Sequence, residues 1–190
     1  MAKKKLIIFS TLGMAFVVIP VVMLVIYFSD NIQGYFKFKH LCETEGGLTV
    51  YEKLEPHVGW ETDQRRIAYI PAEFEEVDFV RFPDDKDKLK LLDLKYKSGS
   101  RNYRKSYEII NADISSKTKY KFFYSSKMID DKLLVSKTIL KVIDIERKFT
   151  HINFVSFGYS MFDRNKTLLG APSGTVCHQV SFNMISGNFK

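Results

Sequence analysis

Two cysteines, four histidines and one tryptophan are all that this chain of 190 residues offers of those residue types, and none stands in the spacing of a metal, cofactor or nucleophile motif. Structural zinc needs ligand pairs about two to four residues apart, so that both side chains converge. His40 and Cys42 could make one such pair, but Cys177 and His178 are adjacent and would point apart in a strand. The acidic runs at residues 84–87 and at Asp130-Asp131 lack the Gly and closing Glu of a calcium loop. In residues 170–174, Pro172 precedes Ser173 where a nucleophile elbow needs Gly-x. Asp144 and His151 have the residue types of a triad but no motif that joins them. No cofactor, metal site or catalytic residue is therefore expected, and the chain reads as a non-enzyme. Asn165-Lys166-Thr167 matches a glycosylation acceptor by pattern alone.

Acidic residues are also missing from residues 1–28, and this absence is the more telling one. Lys3, Lys4 and Lys5 precede 23 uncharged, mostly apolar residues, 6–28. A hydrocarbon core of about 30 Å needs ~20 helical residues at about 1.5 Å each, so this run is long enough to span a bilayer with some tilt. It is longer than the apolar part of a cleaved signal and ends without a small-x-small site, which favours retention as a signal anchor. Because basic flanks stay in the cytoplasm, residues 1–5 are placed there and the rest of the chain on the far side. Pro20 is tolerated within such a span. Gly13 has no small residue four positions away, so a close-packed helix dimer is not expected.

Beyond the anchor, enough chain remains for one domain with one core. That part carries 26 basic and 22 acidic residues, a mild excess of +4 without a clustered basic run, so nucleic acid is not an expected partner. Cys42 and Cys177 lie 135 residues apart and bracket the domain. In an oxidising compartment they are expected to form a disulfide.

The spacing of Ile32, Tyr35, Phe36, Phe38, Leu41 and Cys42 predicts a helix over residues 31–45, stopped by Gly46-Gly47. With Tyr27 and Phe28, its Tyr35 and Phe36 suit the lipid interface, as Lys3, Lys4 and Lys5 do on the other side; packing of this helix on a sheet is the alternative. From Leu48 the period becomes two, and residues 48–54 read as a strand. Trp60 falls in a loop between Pro56 and Gln64. Residues 66–70 read as a short strand, and Pro71 opens one or two helical turns. Strands are expected at 76–82 and 88–97, with helix as an alternative for 86–94, and then at 104–112, 118–126, 132–145 and 148–160. Lys117, Lys119 and Lys121 share one face, read as the solvent side of a sheet or a protected edge. The expected architecture is α+β: an anchor at 6–28, a juxtamembrane helix and linker at 29–47, and a mainly antiparallel β-sheet domain at 48–190 closed by a disulfide.

The stretch from Leu41-Cys42 through Gly46-Gly47 to Val50-Tyr51, with residues 142–146 and 155–159 before Cys177, resembles a group of small proteobacterial envelope proteins. The chain departs from that pattern at Glu146-Arg147-Lys148, where a Thr-Gly turn is expected. The resemblance implies a bacterial, periplasm-facing domain with the same cysteine pair, and it implies no activity. The resulting expectation is a single-pass inner-membrane protein whose periplasmic domain binds another envelope protein as an accessory subunit. The alternatives are an immunity protein against a periplasmic toxin, a wall tether using Trp60 and Tyr159, and a small envelope enzyme with a base such as His151 or His178.

Overall fold

A computed structural model describes residues 18–23, 25–97, 106–161, 174–178 and 183–190. Lys3, Lys4, Lys5, Gly13, Asn165, Ser173 and most of the expected anchor lie outside the described residues. Among those described, no single helix is long and apolar enough to cross a membrane; α1 (Val18–Tyr27) and α2 (Ser29–Thr44) have the length and composition only as a pair, bent by 50°.

Helix α2 follows α1 almost without a break, because the Ser29 hydroxyl donates to the Ile26 carbonyl at 2.8 Å and the Ile32 N–H to the Phe28 carbonyl at 2.9 Å. It ends where Glu45 and Gly46 both donate their N–H to the Leu41 carbonyl, and Gly47 then takes a φ of +124°. Gly34, Phe38 and Cys42 recur every fourth residue and form its buried stripe. Gly34 permits the close approach. A Cβ there would lie 2.5 Å from the Leu133 carbonyl oxygen and 2.8 Å from the Tyr159 ring.

Among the described residues, nine strands form one mixed sheet, mostly antiparallel. In chain order they are β1 (Gly47–Val50), β2 (Val58–Glu61), β3 (Val77–Pro83), β4 (Leu91–Lys97), β5 (Ser106–Asn111), β6 (Thr118–Asp130), β7 (Val135–Asp144), β8 (Thr150–Ser160) and β9 (Gly174–Val176). Their spatial order is β1-β8-β7-β6-β2-β3-β4-β5. Strand β9 joins the outer edge of β8 beside β1: Gly47 pairs with Val155 and Val176 with Gly158. The β6-β7-β8 meander follows the alternation that the sequence predicts. Residues Ile152 and Phe154 of β8 enter the main core, whereas Phe157 and Tyr159, of the other parity, enter a second cluster with Phe38, Cys42 and Val135 under α2. Each buried aromatic of this kind contributes roughly 1.5–3 kcal/mol.

Three local expectations are corrected. Trp60 lies in no loop but on β2, fully buried against Tyr120 and Phe122, because β2 inserts in parallel between β3 and β6. Residues 66–70 are not a strand. The Gln64 carbonyl accepts from the N–H groups of Ile67 and Ala68, which winds α3 (Arg65–Ala68) and buries Ile67 and Ala68. The first strand stops at Val50, and Leu54 forms an isolated bridge with Phe189 after the short helix α4 (Asn183–Ser186). The Pro71 turn is a 3-10 turn, Pro71–Glu73. Residues 84–90 form a turn ahead of β4, with Asp84 and Asp87 accepting the N–H groups of Lys86 and Leu89.

Cys42 and Cys177 form the expected disulfide, with Cα atoms 5.9 Å apart. Cys177 lies just past β9, its N–H on the Phe157 carbonyl, so the bond fastens the end of α2 to the edge of β8. Closing so long a loop stabilises by roughly 4–5 kcal/mol in the chain-entropy model.

Candidate functional site

The β7–β8 hairpin has two ends, and each gathers an unusual group of side chains. At the end away from α1 the turn is built on Asp144, which closes β7. One of its carboxylate oxygens accepts the Arg147 N–H at 2.8 Å and the other the Arg147 Nε–H at 3.1 Å, while its own N–H donates to the Phe149 carbonyl. The register slips here, since Val142 faces Ile152 and Ile143 faces Thr150. His151 is the extra residue of this bulge and turns inward, 2 % exposed, against the Tyr120 ring.

Arg147 organises what results. Its Nη2 donates to Glu52 Oε2 at 2.9 Å and lies 2.7 Å from His151 Nε2. A guanidinium cannot accept, so Nε2 is the acceptor and the imidazole carries its proton on Nδ1. That Nδ1 is buried, has no hydrogen-bond partner among the described residues and lies 3.9 Å from Glu52 Oε2. Hydrogen bonds from the Arg147 backbone and side chain hold Asp144 below the usual carboxylate range, and the Arg147 side chain does the same for Glu52. Both carboxylates in turn raise Arg147. Both acids are thus held in their charged form at neutral pH, and the ring nitrogen facing Arg147 is already occupied. The structure brings Asp144 and His151 together, with side-chain atoms 3.8 Å apart, as the footing of an arginine.

What this footing supports is exposed. Arg147 lies over the Phe149 ring at 5.5 Å, and Phe149 packs edge-on against Tyr51 at 6.3 Å. Tyr51 is 57 % and Phe149 37 % exposed. Beside them Lys119 pairs with Glu55 at 2.6 Å, and the Glu55 N–H donates to the Tyr120 hydroxyl. The spacing of residues could not reveal this surface, because Tyr51 and Phe149 meet only through β1 and the bulged start of β8.

At the other end, Phe28, Asn31, Ile32, Tyr35, Phe36, Tyr159 and Met161 line an apolar groove of about 490 Å³. The Tyr159 hydroxyl donates to the Asn31 carbonyl at 2.8 Å. Salt bridges fix α2 along its flank: Lys37 to Asp130 at 2.6 Å, Lys132 to Asp30 at 3.2 Å and Lys137 to Glu45 at 2.8 Å. Of the residues expected at a lipid interface, Tyr27, Tyr35 and Phe36 are exposed and Phe28 is half-buried at the groove.

Several other candidates resolve differently. Trp60 and Tyr159, named for a wall tether, are both buried and cannot stack on a polymer. The histidine–cysteine groups offer no thiolate, since both sulfurs are in the disulfide. Among the described residues no cluster of three or more His, Cys, Asp or Glu could hold a metal ion. Of the aligned lysines, Lys119 and Lys121 are paired with Glu55 and Asp63. No family model matches the chain, and no curated protein or solved structure proves similar to it.

Proposed function

We propose that the chain is a single-pass inner-membrane protein, its amino terminus cytoplasmic, whose periplasmic domain binds another envelope protein as an accessory subunit. The observation that carries this reading is the exposed group Tyr51, Phe149 and Arg147, held from below by the buried Asp144 and His151. Tyrosine and arginine held rigidly at a surface are the residue types that dominate binding energy at protein interfaces, and little side-chain freedom remains to be lost here. The basic flank and apolar run of residues 3–28 support the membrane placement. The Cys42–Cys177 bond fits an oxidising compartment.

The test is affinity purification of the full chain from its native host in mild detergent, with partners identified by mass spectrometry. A Tyr51→Ala/Phe149→Ala double variant is purified in parallel. A stoichiometric partner that the wild type retains and the variant loses supports the reading. A partner retained equally by both moves the interface elsewhere, and the absence of any partner from the wild type sinks the accessory role. In the immunity form of the reading, the partner is a secreted toxin.

A further inference from the structure

We infer that the groove under α2 takes a phospholipid acyl chain, so that α2 lies in the bilayer interface and holds the domain against the membrane. The inference rests on the membrane placement proposed above and adds to it a lipid site and an orientation.

Helix α2 has two stripes. Gly34, Phe38 and Cys42 are buried on the sheet, whereas Phe28, Ile32, Tyr35 and Phe36, at helical spacing of four, three and one, line the groove beside it, with Tyr35 edge-on to the Tyr159 ring at 6.2 Å. Ile32 is 46 %, Tyr35 47 % and Phe36 64 % exposed. These side chains form a contiguous apolar surface, and such surfaces on folded proteins mark contact sites. Helix α1, which leads into it, exposes Val18, Val22 and Ile26 on successive turns, and Tyr27 beside the last, with no polar face.

The chemistry of the lining selects the occupant. A water-soluble ligand needs convergent polar groups to fix it. Here the polar lining groups are Asn31 and two tyrosines, and the Tyr159 hydroxyl is already committed to the Asn31 carbonyl. What remains is an almost wholly apolar groove, suited to a hydrocarbon chain. Its place along the chain points the same way: the groove begins at Phe28, the last residue of the apolar run 6–28, where a helix leaves the hydrocarbon and acyl chains are within reach. Tyr35 and Phe36 then stand at headgroup depth, where aromatic rings concentrate, and Lys39, exposed one turn on, can extend to the phosphates.

The experiment uses full-length protein in vesicles of phosphatidylethanolamine and phosphatidylglycerol, some of them brominated along the acyl chain. Three single variants are compared: Ile32→Trp in the groove, Phe36→Trp on its rim and Tyr51→Trp at the far end of the hairpin. Trp60, fully buried, gives a constant background. Vesicle flotation and a non-reducing gel establish insertion and disulfide closure for each variant. The expected result is several-fold quenching of Ile32→Trp and Phe36→Trp by brominated chains and none of Tyr51→Trp. Flotation without quenching of either α2 variant overturns the acyl-chain site and leaves the membrane placement standing. Quenching of Phe36→Trp alone also overturns it, and means that something other than lipid, such as a partner helix, fills the groove. Failure to float removes the membrane placement itself.

Discussion

The two ends of the β7–β8 hairpin, about 30 Å apart at roughly 3.3 Å per residue along β7, solve the same problem with opposite means. Where α2 docks, adhesion is mostly apolar: Phe38, Val135, Phe157 and Tyr159 interlock, a glycine removes the last obstacle, and salt bridges lie only along the flank. At the Asp144 turn, position is fixed by charge: one guanidinium holds two carboxylates and an imidazole. Apolar packing tolerates shape changes poorly but ignores pH, whereas an ion cluster tolerates small shape changes and fails when its acids are protonated. The end facing the proposed membrane is built to stay docked, and the end facing the proposed partner is built to hold a few exposed side chains still.

The contrast can be broken most strongly at the disulfide. Cys42→Ser releases a constraint over 135 residues, and thermal unfolding in non-reducing buffer should show a loss of several kcal/mol, up to roughly 4–5. Equal stability of variant and wild type would show that α2 stays docked without the bond. Next comes Gly34→Val, which sets a side chain against the Leu133 carbonyl and the Tyr159 ring; overpacking of this kind costs about 1–3 kcal/mol. Hydrogen exchange should rise in α2 while the Asp144 turn remains protected, and a uniform rise would mean that the two ends are not independent.

Asp144→Asn sharpens the electrostatic side. It keeps the shape but removes the buried charge opposite Arg147, at a cost of about 1–2 kcal/mol. Its effect depends on pH. A carboxyl whose folded pKa lies below its unfolded one adds stability that is complete above the unfolded value, near pH 4, and disappears as the pH falls through the folded value. Asp144 and Glu52 at one end and Asp130, lowered by Lys37, at the other all shift in this direction. Wild type and Asp144→Asn should therefore differ in stability at neutral pH and converge on acidification, as read by denaturant titrations at pH 7 and pH 3. A difference that persists at low pH would assign the loss to packing. The smallest effect on stability belongs to Tyr51→Ala and Phe149→Ala, within about 1 kcal/mol for exposed positions, with the partner lost in pull-down.

How much of this was legible in the sequence depends on the range of the forces involved. The period of Phe38 and Cys42 and the alternation in β6, β7 and β8 are local, and they locate α2 and the meander. The cysteine pair follows from count and compartment. Trp60 escapes because Val58–Glu61 is four residues long and sits among Pro56, Gly59 and other turn formers; only its parallel neighbours make it a strand. Arg65–Ala68 is too short to show a helical period. At the far turn, Asp144 and His151 were visible as residue types, but the bulge that turns His151 inward and the reach of Arg147 to Glu52, 95 residues earlier, are properties of the folded sheet.

The disulfide also decides how the domain bears load. A chain held at a membrane and pulled by a partner at the Asp144 turn is under tension between those points. Without the bond, the tension that the packing and salt bridges of α2 do not take up would run into β1 and peel its four residue pairs from β8 one after another. With Cys42 tied to Cys177, the same tension divides between β1 and β9, two strands that grip β8 side by side along one edge. The covalent link thus acts as a strain relief, like the clamp that keeps a pulled cable from loading its first solder joint.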